Sequence, residues 1–369
     1  MVVLELLRTL RGHTGAIWSI LWSFSGNFII SAGVDSSLIV WGPSNKPIEK
    51  KIYSKFSNEK FYFKSWHKIY RLKIFQRLRT FRSLAKKINS NYFSISDFKG
   101  QSYLWEIVFI KRNKICLAEI KHVLRGPFSE IKTSSFSFDE ILFSSGGRDK
   151  SIWIWKNNFR KKIDCDFIFR ENKSDIKCLK WNPLTREIVN ATYEGSLLFT
   201  FYAKRASKII EVKNSNSTVW SLFFDETGKK LFYGNGLGEV VWVNLINRSS
   251  CDSKKKFNIK KALHIEILGF FLINIDCIHS IVQATKNSLY LIGNSIGVLD
   301  ILKKQRINKK AVVEKFDIFK KKKAFLLKPL AKIPTLHFGK INSITWHPIF
   351  DNIFMSCGND SIINIWKVF

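Results

Sequence analysis

One short pattern, a polar turn followed by an aromatic strand, recurs along the chain and limits what it can fold into. It reads Gly33-Val34-Asp35-Ser36-Ser37-Leu38-Ile39-Val40-Trp41, then Gly147-Arg148-Asp149-Lys150-Ser151-Ile152-Trp153-Ile154-Trp155, then Gly358-Asn359-Asp360-Ser361-Ile362-Ile363-Asn364-Ile365-Trp366. The Asp is a short acceptor that can hold nearby backbone N–H groups in a turn. The β-branched and aromatic residues that follow suit a pleated strand. In each copy the acid precedes a Trp by six residues, so one hairpin is being reused.

With His13 as zero, Ile17 falls at +4, Trp22 at +9, Asp35 at +22 and Trp41 at +28. The same ruler started at Arg77 gives Phe81, Lys86, Lys99 and Trp105. From Pro127 it gives Ile131, Phe136, Asp149 and Trp155; from Asn172, Ile176, Trp181, Glu194 and Thr200; from Ser215, Val219, Phe224, Leu237 and Val243. From His337, with one residue added, it gives Ile341, Trp346, Asp360 and Trp366. A further unit is expected between Val243 and His337, around Phe270–Asp300, with its register open. Repeats of about 40 residues that cannot bury their faces alone predict blades of four antiparallel strands. The expected fold class is all-β: a single seven-bladed β-propeller over 1–369. Its blades are expected near 12–52, 53–121, 122–168, 169–210, 211–250, 251–332 and 333–369. Insertions are expected near 44–78, where Phe61–Trp66 could add a strand, and near 303–332, which holds Lys320–Lys323. The last unit lacks one strand, and residues 2–11 supply a spare one, so the N-terminal strand is expected to close the last blade.

Within a unit the polar positions should form a buried hydrogen-bond chain. In the first this is His13, Ser31, Asp35 and Trp41; in the third, Ser145, Asp149 and Trp155; in the last, His337, Ser356, Asp360 and Trp366. A His–Asp pair that recurs as a repeat feature with no nucleophile beside it is structural rather than catalytic. No catalytic residue and no enzyme activity is expected. The six Cys are scattered, without metal spacing, so neither a cofactor nor bound iron or zinc is expected. Units 2, 5 and 6 have lost most of the polar set and are expected to be weaker. The net charge of +32 admits an acidic-partner or nucleic-acid surface. It is spread over the chain alongside abundant Ile, Phe and Asn, which favours a compositional origin. No apolar run reaches the ~20 residues of a membrane span.

The wording between these positions is more specific. Arg79-Thr80-Phe81-Arg82 comes first, then Arg148–Trp155. Asp175-Ile176-Lys177 leads to Trp181-Asn182-Pro183, and Ser217-Thr218-Val219-Trp220-Ser221-Leu222 follows. Trp346-His347-Pro348 and Ser356-Cys357-Gly358-Asn359-Asp360 end the series. In this order they resemble the WD-repeat subunits of the cytosolic iron–sulfur protein assembly targeting complex. Lys99, Pro127 and Leu237 depart from that family's usual repeat residues. The resemblance implies a monomeric, non-enzymatic scaffold in the cytoplasm and also the nucleus. Its implied partners are a small α/β subunit, a large helical-repeat subunit, a hydrogenase-like cluster carrier and apoprotein clients. Neither a membrane nor a specific nucleic acid is implied. The competing reading is a WD-repeat adaptor in a chromatin- or ribosome-assembly complex. Independently of the family, position +5 follows the inner-strand hydrophobe and should lie near one rim, giving Trp18, Arg82, Lys132, Lys177, Trp220 and Asn342. The residue before the turn acid should share that rim: Phe98, Arg148 and Tyr193. Exposed Trp, Tyr and Arg are the residue types of binding hot spots. Arg148 between Phe98 and Tyr193 is expected to hold a partner's carboxylate.

Overall fold

A computed structural model describes residues 3–43, 66–73, 81–87, 92–110, 115–158, 162–202, 206–210, 217–247, 263–272, 276–284, 289–306 and 325–369. The elements are strands, arranged as seven four-stranded antiparallel sheets. Blade 1 runs Ile17–Trp22, Ile29–Gly33, Ser37–Pro43 and Trp66–Lys73 from its inner to its outer strand. The inner strands of blades 2 to 7 are Phe81–Lys86, Ile131–Phe136, Ile176–Trp181, Val219–Phe224, Ile278–Gln283 and Ile341–Trp346. These inner strands touch one another in a closed cycle, with blade 7 meeting blade 1. The fold is a seven-bladed β-propeller.

Alternation along each strand sends residues to opposite faces of a blade. Ile29 and Ile39 therefore join the cluster shared with blade 7, while Ile30 and Val40 join the cluster shared with blade 2. The seven hydrophobic clusters among the described residues each bridge one pair of adjacent blades. The core is thus seven seams, each buried by two sheets.

The last sheet contains Ile341–Trp346, Ile353–Gly358 and Ile362–Val368, and its outer strand is Leu4–Arg11. Leu4 faces Val368 and Arg11 faces Ile362. The N-terminal strand closes the last blade, and Trp22, Trp41 and Trp66 fill the seam beside it. A side-chain clasp reinforces this closure. His347 Nδ1 accepts the N–H groups of Ile349 and Phe350, so Nε2 carries the proton and donates to Gly26 O across the seam at 3.2 Å. Burial pushes the His347 pKa down to about 3, which keeps the ring neutral. Asn182 makes the same reach from blade 4 to Gly228 of blade 5, at 3.0 Å. The Trp-His-Pro and Trp-Asn-Pro motifs are therefore blade-to-blade clasps.

Several details differ from the expectations. Trp66 opens the outer strand of blade 1, within the stretch expected as an insertion. Phe61–Ser65 and Lys320–Lys323 lie outside the described residues. Phe270 belongs to the outer strand of blade 5, Leu263–Leu272, and the sixth blade begins at Ile278. Its outer strand, Phe325–Pro334, falls partly in the second expected insertion.

The blades use two turn chemistries. In blades 1, 3 and 7, Ile17, Ile131 and Ile341 face a glycine, and the turn acid follows two residues later. The residue after the acid takes positive φ: Ser36 at 56°, Lys150 at 61° and Ser361 at 64°. In blades 2, 4, 5 and 6 the short acceptor sits at the glycine's place instead, as Asp97, Thr192, Asn235 and Asn294. Asp97 Oδ1 accepts from Lys99 and Gln101 N–H at 2.9 Å, and Asn235 and Asn294 do likewise with their own turns. The positive φ then falls on Gly100, Gly195, Gly238 and Gly297. Units 2, 5 and 6 have exchanged the turn rather than lost it.

Candidate functional site: the basic and aromatic face

The expected polar relay forms in two blades. In blade 7, the Trp366 indole N–H donates to Ser356 Oγ at 2.9 Å; Ser356 bonds His337 Nε2 at 2.8 Å, and His337 Nδ1 bonds Asp360 at 2.8 Å. With Asp360 ionised, Nδ1 must be the donor and Nε2 the acceptor. Blade 1 repeats it through Trp41, Ser31, His13 and Asp35 at 2.8, 2.7 and 3.0 Å. Burial acts to raise the Asp35 pKa, but the His13 hydrogen bond and charge with the Thr14 and Ser37 N–H groups bring it down to about 2. Blade 3 does not form the relay. Pro127 stands at the histidine's place, so nothing links Asp149 to Ser145. Trp153 Nε1 donates to Asp149 instead, and Ser145 Oγ and Trp155 Nε1 are buried without partners. Blade 4 substitutes a pair of amides, with Asn190 donating to Asn172 at 2.7 Å.

A repeated backbone bond fixes which residues share a face. The N–H of the residue before the turn position donates to the carbonyl just ahead of the inner strand. It runs from Val34 to Ala16, Arg148 to Glu130, Tyr193 to Asp175 and Gly236 to Thr218 at 2.9 Å, with counterparts in blades 6 and 7. The +5 side chains lie beside this bond, at the mouth of the central channel. Trp18, Arg82, Lys132, Lys177, Trp220 and Asn342 line one cavity of about 220 Å³. Lys180 also lines it, as do His279 and Lys340. The sequence reading missed all three. His279 is the +5 residue of the sixth blade, and the Asn294–Gly297 turn, matching Asn235–Gly238, carried the signal for that register.

The charges follow a rule of position. Two of the three +5 cations reach the residue two before the +5 position of the next blade. Arg82 meets Glu130 at 3.7 Å, and Lys132 meets Asp175 at 2.7 Å. Lys177 should meet Thr218, which offers no carboxylate, and instead lies over the rings of Tyr193 at 4.7 Å and Trp220 at 5.1 Å. Lys340 lies over Trp18 at 5.8 Å and Trp220 at 5.0 Å, while Arg82 stacks on Trp18 at 3.6 Å. Desolvation, with help from neighbouring cations, brings Lys177 and Lys340 down to about 8. Desolvation and the same positive surroundings bring His279 down to about 3, so its imidazole is neutral.

Arg148 and Tyr193 line a second cavity, about 560 Å³, with Lys150, Lys173, Asp175 and Glu194; Lys132 and Lys177 border both cavities. Arg148 is exposed, and its guanidinium has no acceptor among the described residues. Phe98 is 38% exposed but does not line this cavity. The expected stack of Arg148 between Phe98 and Tyr193 is not formed: the cation over Tyr193 is Lys177, its neighbour on the same blade. Among the described residues no three His, Cys, Asp or Glu side chains converge as metal ligands, and no helix is long and apolar enough to cross a membrane.

The chain matches the family described as WD domain, G-beta repeat over residues 4–42, 118–156 and 328–367. Each match joins the outer strand of one blade to three strands of the next. The three blades concerned, 1, 3 and 7, are those with the acidic turn and its Trp. The chain is a seven-bladed WD-repeat β-propeller. It is 45% identical over 42 residues to "Probable cytosolic iron-sulfur protein assembly protein Ciao1" of Anopheles gambiae, covering 11% of this chain and 12% of that one. It is 33% identical over 66 residues to "Probable cytosolic iron-sulfur protein assembly protein 1" of Botryotinia fuckeliana (strain B05.10), covering 17% of this chain and 15% of that one. The matched stretches thus span under a sixth of either relative.

Proposed function

We propose that this chain is a non-enzymatic scaffold of cytosolic iron–sulfur protein assembly, docking partners on the face that carries Arg148. The observation that carries the assignment is the local similarity to two proteins named for that process. The face supports the docking role. An exposed guanidinium beside Tyr193 and a basic cavity offers a planar fork for a partner's carboxylate. The partners are those the family resemblance implies: a small α/β subunit, a helical-repeat subunit, a hydrogenase-like carrier and apoproteins. The compartment is the cytoplasm, with access to the nucleus. The propeller acts as a monomer, and its His–Asp pairs serve the blades.

The test is affinity capture with the tagged chain, followed by identification of bound proteins. Recovery of cluster-assembly partners supports the proposal, and recovery of chromatin or ribosome-assembly factors in their place overturns it. Arg148→Glu is expected to weaken capture by roughly 2 kcal/mol, the scale of a hot-spot residue. Arg148→Lys should weaken it less, because charge remains while the fork is lost. Both variants should melt within about 0.5 kcal/mol of the parent.

A further inference from the structure

The central cavity holds an imbalance that blade packing does not explain. Five cations, Arg82, Lys132, Lys177, Lys180 and Lys340, line it, and among the described residues two carboxylates, Glu130 and Asp175, answer them. Both carboxylates are taken up by Arg82 and Lys132. Lys177 and Lys340 come from opposite sides of the ring, blades 4 and 7, and both lie within about 5 Å of the Trp220 ring centre. His279 adds no charge. Bringing ammonium groups together out of bulk water is unfavourable unless an anion or π-face compensates them. Solvating them outward would be the simpler arrangement for a purely structural wall.

We propose that the mouth of the central channel is a binding site for a small multivalent oxyanion of the phosphate type, held chiefly by Lys177 and Lys340 with Arg82 and Lys132 as flanking charges. Three features select that class. The five cations exceed the two carboxylates by three formal charges, which favours a multivalent anion over a single carboxylate. The cavity of about 220 Å³ equals the share of roughly seven waters, which admits an orthophosphate or diphosphate with part of its hydration. Ammonium groups on flexible stems bind phosphate oxygens as point charges, without demanding a planar partner. The site does not depend on the docking role of Arg148, which lines the neighbouring cavity.

Isothermal titration of the full chain with sodium diphosphate, and with acetate as a monoanionic control, tests this at fixed ionic strength. Diphosphate is expected to bind one per chain, and acetate at least tenfold more weakly. Lys340→Met retains a stem to pack on the indoles and should cost diphosphate affinity at least tenfold. Lys177→Met provides the same test from the other side of the ring. Because both lysines titrate near pH 8, binding at that pH should take up a fraction of a proton, seen as a heat that changes between buffers of different ionisation enthalpy. Circular dichroism of each variant checks the fold, and Arg186→Met, at a residue that pairs with Asp139 and lines neither cavity, should leave the titration unchanged. Equal binding of acetate and diphosphate overturns the proposal, as does diphosphate affinity untouched by both lysine substitutions.

Discussion

Ser356→Ala and Ser145→Ala remove the same atom from equivalent places in two blades, yet they should differ sharply. Ser356 Oγ accepts from the Trp366 indole and donates to His337 Nε2, and all three residues are buried. Alanine strands two buried ring nitrogens at about 1–2 kcal/mol each, a total of about 3 kcal/mol. Ser145 Oγ already has no partner, nor does Trp155 Nε1, so Ser145→Ala removes an unsatisfied hydroxyl and should change stability by under about 1 kcal/mol, with either sign. At about 2.1 cal/mol/K of unfolding entropy per residue, 3 kcal/mol corresponds to a fall in Tm of about 4 °C for a chain of 369 residues. Scanning calorimetry of the two variants beside the parent, at one scan rate and pH 7, provides the comparison. Equal shifts would refute the claim that the relay, rather than the serine itself, holds blades 1 and 7.

Deleting residues 1–11 should lower Tm by more than Ser356→Ala does, because it unpairs Ile362–Val368 and opens the seam beside it; an unchanged melt would count against closure by this strand. Gly100→Ala should be strongly destabilising, since its φ is +79° and a Cβ would come within 2.1 Å of Pro127 O; wild-type urea resistance would contradict that geometry. Burial raises the Asp300 pKa from 3.8 to about 6, partly offset by Lys332, so its contribution is favourable below pH 4 and is lost as pH rises through 6. Asp300→Asn should therefore stabilise at pH 7.5 by about 1–2 kcal/mol, after discounting the full shift of about 3 kcal/mol for solvent screening. That gain should vanish near pH 4, and a gain independent of pH would point to another cause.

The repeat and its closure were legible because Asp35, Asp149, Asp360 and their Trp partners combine a turn acceptor with strand formers at fixed spacing. The face was legible for a related reason: a bond as regular as Arg148 N–H to Glu130 O ties position +5 to the turn in blades 1 and 3 to 7. Register was lost where the turn chemistry changed. Asn294 does the acceptor's work two residues early, so a ruler tuned to an acid at +22 finds Ile296 and overlooks His279. Outer strands were hard to place because long connections precede them, as between Pro43 and Trp66. The pairing of Arg82 and Lys132 with acids on the following blade depends on how neighbouring sheets meet, which the linear pattern does not carry.

The pairing of Leu4 with Val368 also sets an order of events during synthesis. Leu4–Arg11 leaves the ribosome early, and its partner strand follows some 350 residues later. At about 5–20 residues per second, that interval is on the order of 20–70 s. Throughout it the first strand is unpaired, and each completed blade keeps an apolar face open until the next packs against it. Arg8 and Arg11, with Glu5, place charge along this waiting strand, which discourages pairing with another chain. A nascent ring that finds its own last strand becomes a monomer; one that finds a neighbour's becomes a swapped oligomer. The dilution at which the chain is made and refolded should therefore decide its yield.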